Sequence, residues 1–454
     1  MIEKILIANR GEIALRIIRA AREMSIATVA IHSTADRDSL HVKLADEAVC
    51  VGGPLPKDSY LNFSNIIQAA ISTGADAIHP GFGFLSENVE FAKSIEEVGI
   101  KFIGPKWQTI AMMGDKAMAR ETVMKTSVPV VPGSDGIVET ATEAIEISKK
   151  IGLPVIIKAS SGGGGKGMRI VYDLDKIEEN YLNCQSEARN AFGDERVYIE
   201  KFIENPRHIE VQVIGDQHQN YAHLFERECS MQRNNQKVIE EAGEIKLKEE
   251  TKQKLYQVAL DLCKYIDYQN AGTIEFIMDE NENFYFIEMN TRIQVEHPVT
   301  EMITGVDLIQ EQINIASELV LSFKQEKLVK NGHAIEVRIN AEDPYDNFKP
   351  SCGKISALHF PGGNGVRIDS MIYQDYIIPP YYDSMLAKVI VHAKNRKQAN
   401  EKIMRCLEEI DVVGVNTNIE FLLDLVLTKP FLKGEYNTST IKEYLEKVGD
   451  LGNV

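Results

Sequence analysis

Between Phe286 and Pro298 the chain reads FIEMNTRIQVEHP, and from Glu288 onward polar and mostly apolar residues take turns. Glu288, Asn290, Arg292, Gln294 and Glu296 occupy one set of alternate positions, and Met289, Thr291, Ile293 and Val295 the other. A period of two belongs to a strand with one face on a core, whereas an amphipathic helix needs a period of 3.6. The expectation is one half-buried strand whose open face presents two carboxylates, two amides and a guanidinium in a row.

Just upstream, AGTIEFIMDENENFYFIEMN reads as two strands joined by the turn DENEN, which brings Glu275 and Glu288, with Asn290, onto neighbouring strands. Unpaired carboxylates at that spacing repel, so the pairing calls for a cation. Mg²⁺ (or Mn²⁺) suits the oxygen donors and commonly accompanies nucleotide phosphates. A solvated acidic face is the alternative. It fits Asp279, Glu280 and Glu282 in the turn, but not Glu288 among Phe286, Ile287 and Met289.

A second feature is KASSGGGGKGMRIV at 158–171, with four glycines before Lys166. A Walker loop would need Ser or Thr after the lysine and then a helix, and a dinucleotide loop also needs the helix. Here Gly167 and a strand follow. Strand, glycine loop and strand describe a flap whose bare backbone can lie against phosphates. A flexible hairpin tip is the plainer alternative, but four glycines are entropically costly for a mere tip.

The N-terminal hundred or so residues alternate strands (IEKILIA, ATVAIHS, ADAIHPG) with helical segments such as GEIALRIIRAAREM, a Rossmann-like open α/β layer. Its first turn, ANRGEIA, keeps only Gly11 of a dinucleotide fingerprint, so the layer reads as a scaffold. VPVVPGSDG at 128–136 reads as a linker. Net charge is −17, which opposes a nucleic-acid or anionic-membrane partner. The charged start MIEKILIANR is no signal peptide, and no apolar run reaches membrane-spanning length. Six dispersed cysteines suit reduced thiols in the cytoplasm.

Flap lysines followed by a Glu…Glu-x-Asn hairpin resemble the ATP-grasp superfamily. IANRGEIALRI, HPGFGFLSEN, MGDK, KASSGGGGKGMR, NPRHIEVQV, CSMQR, FIEMNTRIQVEHPVTE and PPYYDSM resemble biotin carboxylase over nearly the whole chain. The resemblance implies an α/β multidomain protein: a Rossmann-like domain at 1–114, an ATP-grasp domain at 115–330 with a mobile glycine-rich lid at about 131–203, and an α+β C-terminal domain at 331–454. It further implies a ligase that makes carboxyphosphate from ATP and bicarbonate and then carboxylates biotin on a separate carrier protein. That is the first half-reaction of an acyl-CoA carboxylase, as in fatty acid biosynthesis.

By the same resemblance Glu275, Glu288 and Asn290 hold the metal. Arg292, Gln294 and the Val295 backbone grip bicarbonate, and Glu296 is the general base, helped if burial raises its pKa. Arg338 stabilises the ureido oxygen of biotin, near Phe82, and Lys237 meets phosphate and bicarbonate. Lys116, Lys158, Gly164, Gly165, Lys166, the segment Glu200, Lys201, Phe202 and Ile203, and His208, Gln232 and Asn235 surround ATP. Implied partners are a biotin carboxyl carrier protein, carboxyltransferase chains and a second copy of this chain. No biotin-acceptor AMKM occurs, and VMKT at 123–126 lies in a helical stretch.

Four positions, at three sites, depart from the family pattern. Asn234 and Asn235 stand where Arg-His is common, Phe82 where Tyr is frequent, and Gly243 where Pro is usual. The Asn235 amide can still donate, so the expectation is weaker ATP binding in a divergent paralogue. Two other readings stay open: an amide-forming ATP-grasp ligase, which has no need of Arg292, Gln294, Glu296 and Arg338 together, and a nucleotide-binding regulator, supported only by the asparagines.

Overall fold

The computed structural model describes residues 1–160 and 167–451. Gly164, Gly165 and Lys166 therefore lie outside the described residues. Two units are present: Met1–Val128 with Arg207–Phe276 and Ile287–Val454, and Pro129–Pro206 with the hairpin tip Ile277–Phe286.

The first unit opens with β1 (Lys4–Ile7), helix α1 (Gly11–Glu23), β2 (Ala27–Ser33), β3 (Glu47–Gly52), β4 (Ala77–His79) and β5 (Lys101–Phe102). The strands are parallel in the order β3-β2-β1-β4-β5, the Rossmann-like layer that strand–helix alternation implies. Ile5, Leu6 and Ile7 are wholly buried, as strands covered on both faces must be. Gly11 takes φ +72° where the chain turns from β1 into α1.

In the second unit β6 (Val155–Ala159), β7 (Met168–Val171) and β8 (Val197–Lys201) form an antiparallel sheet in the order β7-β6-β8. Val155, Ile157, Val171, Val197 and Ile199 pack with Ala144, Ile177, Tyr181 and Cys184 of the helices Ala141–Ile151 and Ile177–Phe192. β6 and β7, which flank residues 161–166 in sequence, are neighbouring antiparallel strands.

The largest sheet contains β9 (Arg207–Gly215), β10 (Tyr221–Arg233), β11 (Gln236–Ala242), β12 (Asn270–Met278), β13 (Phe284–Asn290), β14 (His333–Asn340), β15 (Val366–Ser370) and β16 (Met385–Ala393). Their order is β13-β12-β9-β10-β11-β14-β16-β15. Alternation of polar and apolar residues does not mark β10 and β11. The consecutive charges Glu226, Arg227 and Glu228 spoil alternation, yet all three are buried.

The expected single strand from Phe286 to Pro298 is not observed. β13 stops at Asn290, and Thr291 to Glu296 run as an irregular segment into helix α2 (His297–Thr304). Pro298 sits in the first helical turn, where its missing N–H costs nothing and its fixed φ favours helix entry.

Two departures from the family pattern have backbone reasons. Asn234 and Asn235 are the two central residues between β10 and β11, with φ +50° and +63°; Arg233 pairs with Gln236 and Gln232 with Lys237. A two-residue hairpin of this kind needs positive φ at both centres, which Asn tolerates better than most residues. Gly243 takes φ +117°, and a Cβ there would lie 2.4 Å from the Gly332 carbonyl oxygen. Proline, locked near φ −65°, cannot occupy this backbone.

Asn234→Val should lower the unfolding free energy by about 1–2 kcal/mol, because a β-branched residue resists left-handed φ, while Asn234→Gly should stay within about 0.5 kcal/mol of the parent. Urea denaturation of both variants checks this, and equal stability for Val and Gly would contradict it.

Candidate active site

The site is built around one ammonium group. Lys237 of β11 donates from Nζ to Glu210 of β9 (2.6 Å), Glu275 of β12 (2.9 Å) and Glu296 (2.6 Å). On β10 the fully buried Arg227 pairs in register with Glu210. Its guanidinium donates to Glu210 (2.5 Å), Gln212 (2.7 Å), Thr300 (2.9 Å), Thr273 (3.1 Å) and Gln294 (2.5 Å). All five donors of the fork are thereby used, which is how a buried arginine recovers its lost hydration.

These contacts pull the irregular segment after β13 inward. Gln294 Nε2 donates to Glu275 Oε1 at 2.7 Å, and Asn290 Nδ2 donates to the same oxygen at 2.8 Å. Arg292 donates through Nε to Glu87 (2.9 Å) and through Nη2 to Asn290 Oδ1 (2.7 Å). Glu87 also accepts from the Thr291 N–H at 3.0 Å. Arg338 of β14 donates through Nε to Glu240 (2.6 Å) and through Nη2 to Glu296 Oε2 (3.1 Å). Convergence of these side chains thus comes from tertiary ion pairs and not from one continuous strand face.

A cavity of about 550 Å³ results, lined by Phe82, His208, Asn235, Lys237, Glu275, Glu288, Asn290, Arg292, Gln294, Val295, Glu296 and Arg338. Lys116 and Gln232 lie in the same unit but off this wall. Gln232 is buried and its amide donates to the Cys229 carbonyl at 2.8 Å, while Lys116 opens the helix Lys116–Met124. In the other unit Lys158 donates to Glu200 at 2.7 Å, Lys201 to the carbonyls of Gly152 (3.2 Å) and Leu153 (2.5 Å), and the Phe202 N–H to the Pro154 carbonyl at 3.0 Å. Ile203 follows β8 and is partly buried. Glu210, Arg227, Glu240 and Glu87 were not singled out from sequence. Glu210 and Glu240 show one local signal, a charge within a strand that also carries apolar residues, whereas Arg227 sits in a run of charges and Glu87 in a turn.

The electrostatics correct one expectation. Burial alone would raise the Glu296 pKa, but Lys237 and Arg338 outweigh it and hold the carboxyl at about 2. Glu275 is likewise held well below its ordinary value: burial opposes this, and Lys237 and His208 overcome it. Glu240 goes the other way, to about 7, because burial and the nearby Glu296 charge exceed the help from Arg338. His208, 3.1 Å from Glu275, is raised to about 9, since hydrogen bonds to Glu210 and Glu275 outweigh its burial.

The donor set fits a hard divalent cation. Glu275, Glu288 and Asn290 offer side-chain oxygens to one cavity, and the Glu288 pKa is pushed up by desolvation and by the neighbouring Glu275 carboxylate. Lys116 and Arg292 relieve that repulsion only in part, and a cation would remove the rest. A tighter group, His208, Glu210 and Glu275, has ligand atoms within 4.8 Å of one another, but Lys237 and Arg227 already neutralise it.

A parallel N-terminal layer, antiparallel strands on either side of a glycine-rich sequence, and hairpin carboxylates with a strand-borne lysine define an ATP-grasp protein. Matching family models narrow the class: biotin carboxylase, N-terminal domain, at residues 1–110; carbamoyl-phosphate synthase L chain, ATP binding domain, at 115–324; and biotin carboxylase C-terminal domain at 336–443. The chain is 54% identical over 441 residues to biotin carboxylase of Nostoc sp., covering 97% of this chain and 99% of that protein. It is 50% identical to one of the subunits of pyruvate carboxylase from Methanothermobacter thermautotrophicus, covering 98% and 90%. The biotin carboxylase domain dimer of Hydrogenobacter thermophilus 2-oxoglutarate carboxylase, solved with MgADP, ADP and bicarbonate, superposes with TM-score 0.89 at 48% identity over 98% of both chains. The chain belongs to the biotin carboxylase family.

The depressed Glu296 pKa carries a stability consequence. A folded value of about 2 against an ordinary 4.5 means that its contribution is complete above the ordinary value and is lost as pH falls through 4.5 toward 2. Urea unfolding free energies should therefore drop steadily between about pH 5 and about pH 2, and Glu296→Gln should flatten that slope. Equal acid slopes in the two proteins would contradict the pairing.

Proposed function

We propose that the chain carboxylates biotin on a separate carrier protein, with bicarbonate as carbon source and ATP as the energy source, through carboxyphosphate. The observation that carries this reading is the meeting of hard-cation ligands, an anion-sized set of donors and a carboxylate base around one cavity. Glu275, Glu288 and Asn290 would hold Mg²⁺, which when bound neutralises charge on the transferring phosphoryl group. Arg292 presents a planar fork to a planar anion, and Gln294 and the Val295 N–H complete the grip.

Glu296 would accept the bicarbonate proton. Held at about 2 by Lys237 and Arg338, it is a weak base until an anion enters. Bicarbonate and phosphate compete for those two cations, and an added negative charge raises the proton affinity of Glu296 toward the working range. Arg338, freed in part from Glu296 but still fixed by Glu240, is then available to the ureido oxygen of biotin, with Phe82 as an apolar wall beside it.

ATP would lie against Lys116, Lys158, the loop residues Gly164, Gly165 and Lys166, the segment Glu200 to Ile203, His208, Gln232 and Asn235. Residues 1–114, 115–330 and 331–454 would serve as scaffold, ATP-grasp and C-terminal domains, with a lid at about 131–203. We further propose a homodimer that serves a biotin carboxyl carrier protein and carboxyltransferase chains. The six unpaired cysteines favour a reducing, cytoplasmic setting. Relatives at about half identity include both a biotin carboxylase and part of a pyruvate carboxylase, as expected if the final acceptor is chosen by another chain.

ATP hydrolysis by the purified chain should depend on bicarbonate and rise with free biotin at high concentration; equal rates with and without bicarbonate would defeat the reading. Glu296→Gln should retain ATP binding while bicarbonate-dependent turnover falls about 100-fold or more. Parent-like turnover in that variant would remove Glu296 as the base.

A further inference from the structure

Two wholly buried side chains anchor the segment that carries the base, and neither lines the cavity. The His297 Nδ1 lies 2.7 Å from the Gln294 carbonyl oxygen, and Lys388 Nζ donates to the Val295 carbonyl at 2.8 Å. A trans peptide points its N–H opposite to its C=O. Holding the Gln294 carbonyl therefore sets the direction of the Val295 N–H, and holding the Val295 carbonyl sets that of the Glu296 N–H. Val295 and Glu296 themselves line the cavity.

Packing alone does not account for Lys388. It sits on β16 directly opposite Arg338 of β14, and like charges facing each other across a sheet are destabilising. It is fully buried, which is costly for an ammonium unless counter-charges compensate. Two do: Glu12 near the start of α1, 3.1 Å away, and Asp369 of β15, in register with it and 3.9 Å away. Glu336 of β14 and Arg367 of β15 add opposing charges nearby. An apolar residue would fill the same space without this apparatus, but would leave the Val295 carbonyl unheld.

We propose that Lys388 is a positioning residue for the bicarbonate step: backed by Glu12 and Asp369, it holds the Val295–Glu296 peptide and so aims the base and the adjoining N–H groups. The proposal rests on the bicarbonate-dependent use of ATP proposed above. It ties the aim of Glu296 to α1 and β15.

Lys388→Met and Lys388→Arg, made in the full chain, test it by steady-state kinetics with ATP and bicarbonate varied separately, alongside circular dichroism. The Met variant should raise the KM for bicarbonate and lower bicarbonate-dependent kcat, each by about tenfold or more, as a misaimed group does. Its KM for ATP should stay within about twofold, and Arg should restore part of both losses. A folded Met variant whose bicarbonate KM and kcat lie within about twofold of the parent overturns the proposal, as does an equal change in the KM values for ATP and bicarbonate. Should the Met variant not fold, Lys388→Met combined with Glu12→Gln removes the stranded carboxylate and is judged by the same criteria. If that double variant also fails to fold, Lys388 is structural and the proposal falls. A parent enzyme indifferent to bicarbonate would instead overturn the activity itself.

Discussion

Everything at the site depends on one buried ammonium held between three carboxylates. Lys237 reaches Glu210, Glu275 and Glu296 at 2.6, 2.9 and 2.6 Å, and these come from three separate segments of the chain. Removing any of these charges from water is expensive, and only their mutual attraction in a protected interior offsets it. The cluster is therefore stable only when all four are in place. That requirement couples β9, β11 and β12 of the sheet to the turn before α2.

The same coupling explains why the segment after Asn290 need not be a strand. Among the described residues, Thr291 to Glu296 have no neighbouring strand to fix their register. Each polar side chain is instead tied individually: Arg292 to Glu87, Gln294 to Arg227 and Glu275, Glu296 to Lys237 and Arg338. Below them His297 and Lys388 hold two successive carbonyls. An irregular backbone held at this many points can be as well defined as a ladder, and it lets consecutive side chains face one cavity.

Charge on the functional groups is set by the same contacts. Glu296 and Glu240 are both fully buried carboxylates attached to Arg338, yet one is held at about 2 and the other is pushed up to about 7. The difference is Lys237, which stands against Glu296, while the main charge beside Glu240 other than Arg338 is Glu296 itself. Two carboxylates with opposed shifts on one guanidinium form an arrangement that can respond when a substrate anion changes the local field.

Local pattern carried the parallel layer of β1 to β5, the strands β6 and β7 on either side of the glycine-rich sequence and the hairpin bearing Glu275 and Glu288, because each rests on alternation and turn residues within a few positions. It also marked the residue types that meet at the cavity. The Asn234–Asn235 turn and Gly243 were visible as departures, but their reason is a backbone angle that identity alone does not report. What the amino-acid order by itself determined is which groups exist and which short elements present them. Tertiary structure decided the rest: β10 and β11 despite their charged run, the end of β13 at Asn290, the downward shift of Glu296, and the anchoring by Arg227 and Lys388. The physical reason is that a buried charge is favourable or ruinous according to partners dozens to hundreds of residues away, and no periodicity within a segment encodes a distance to them.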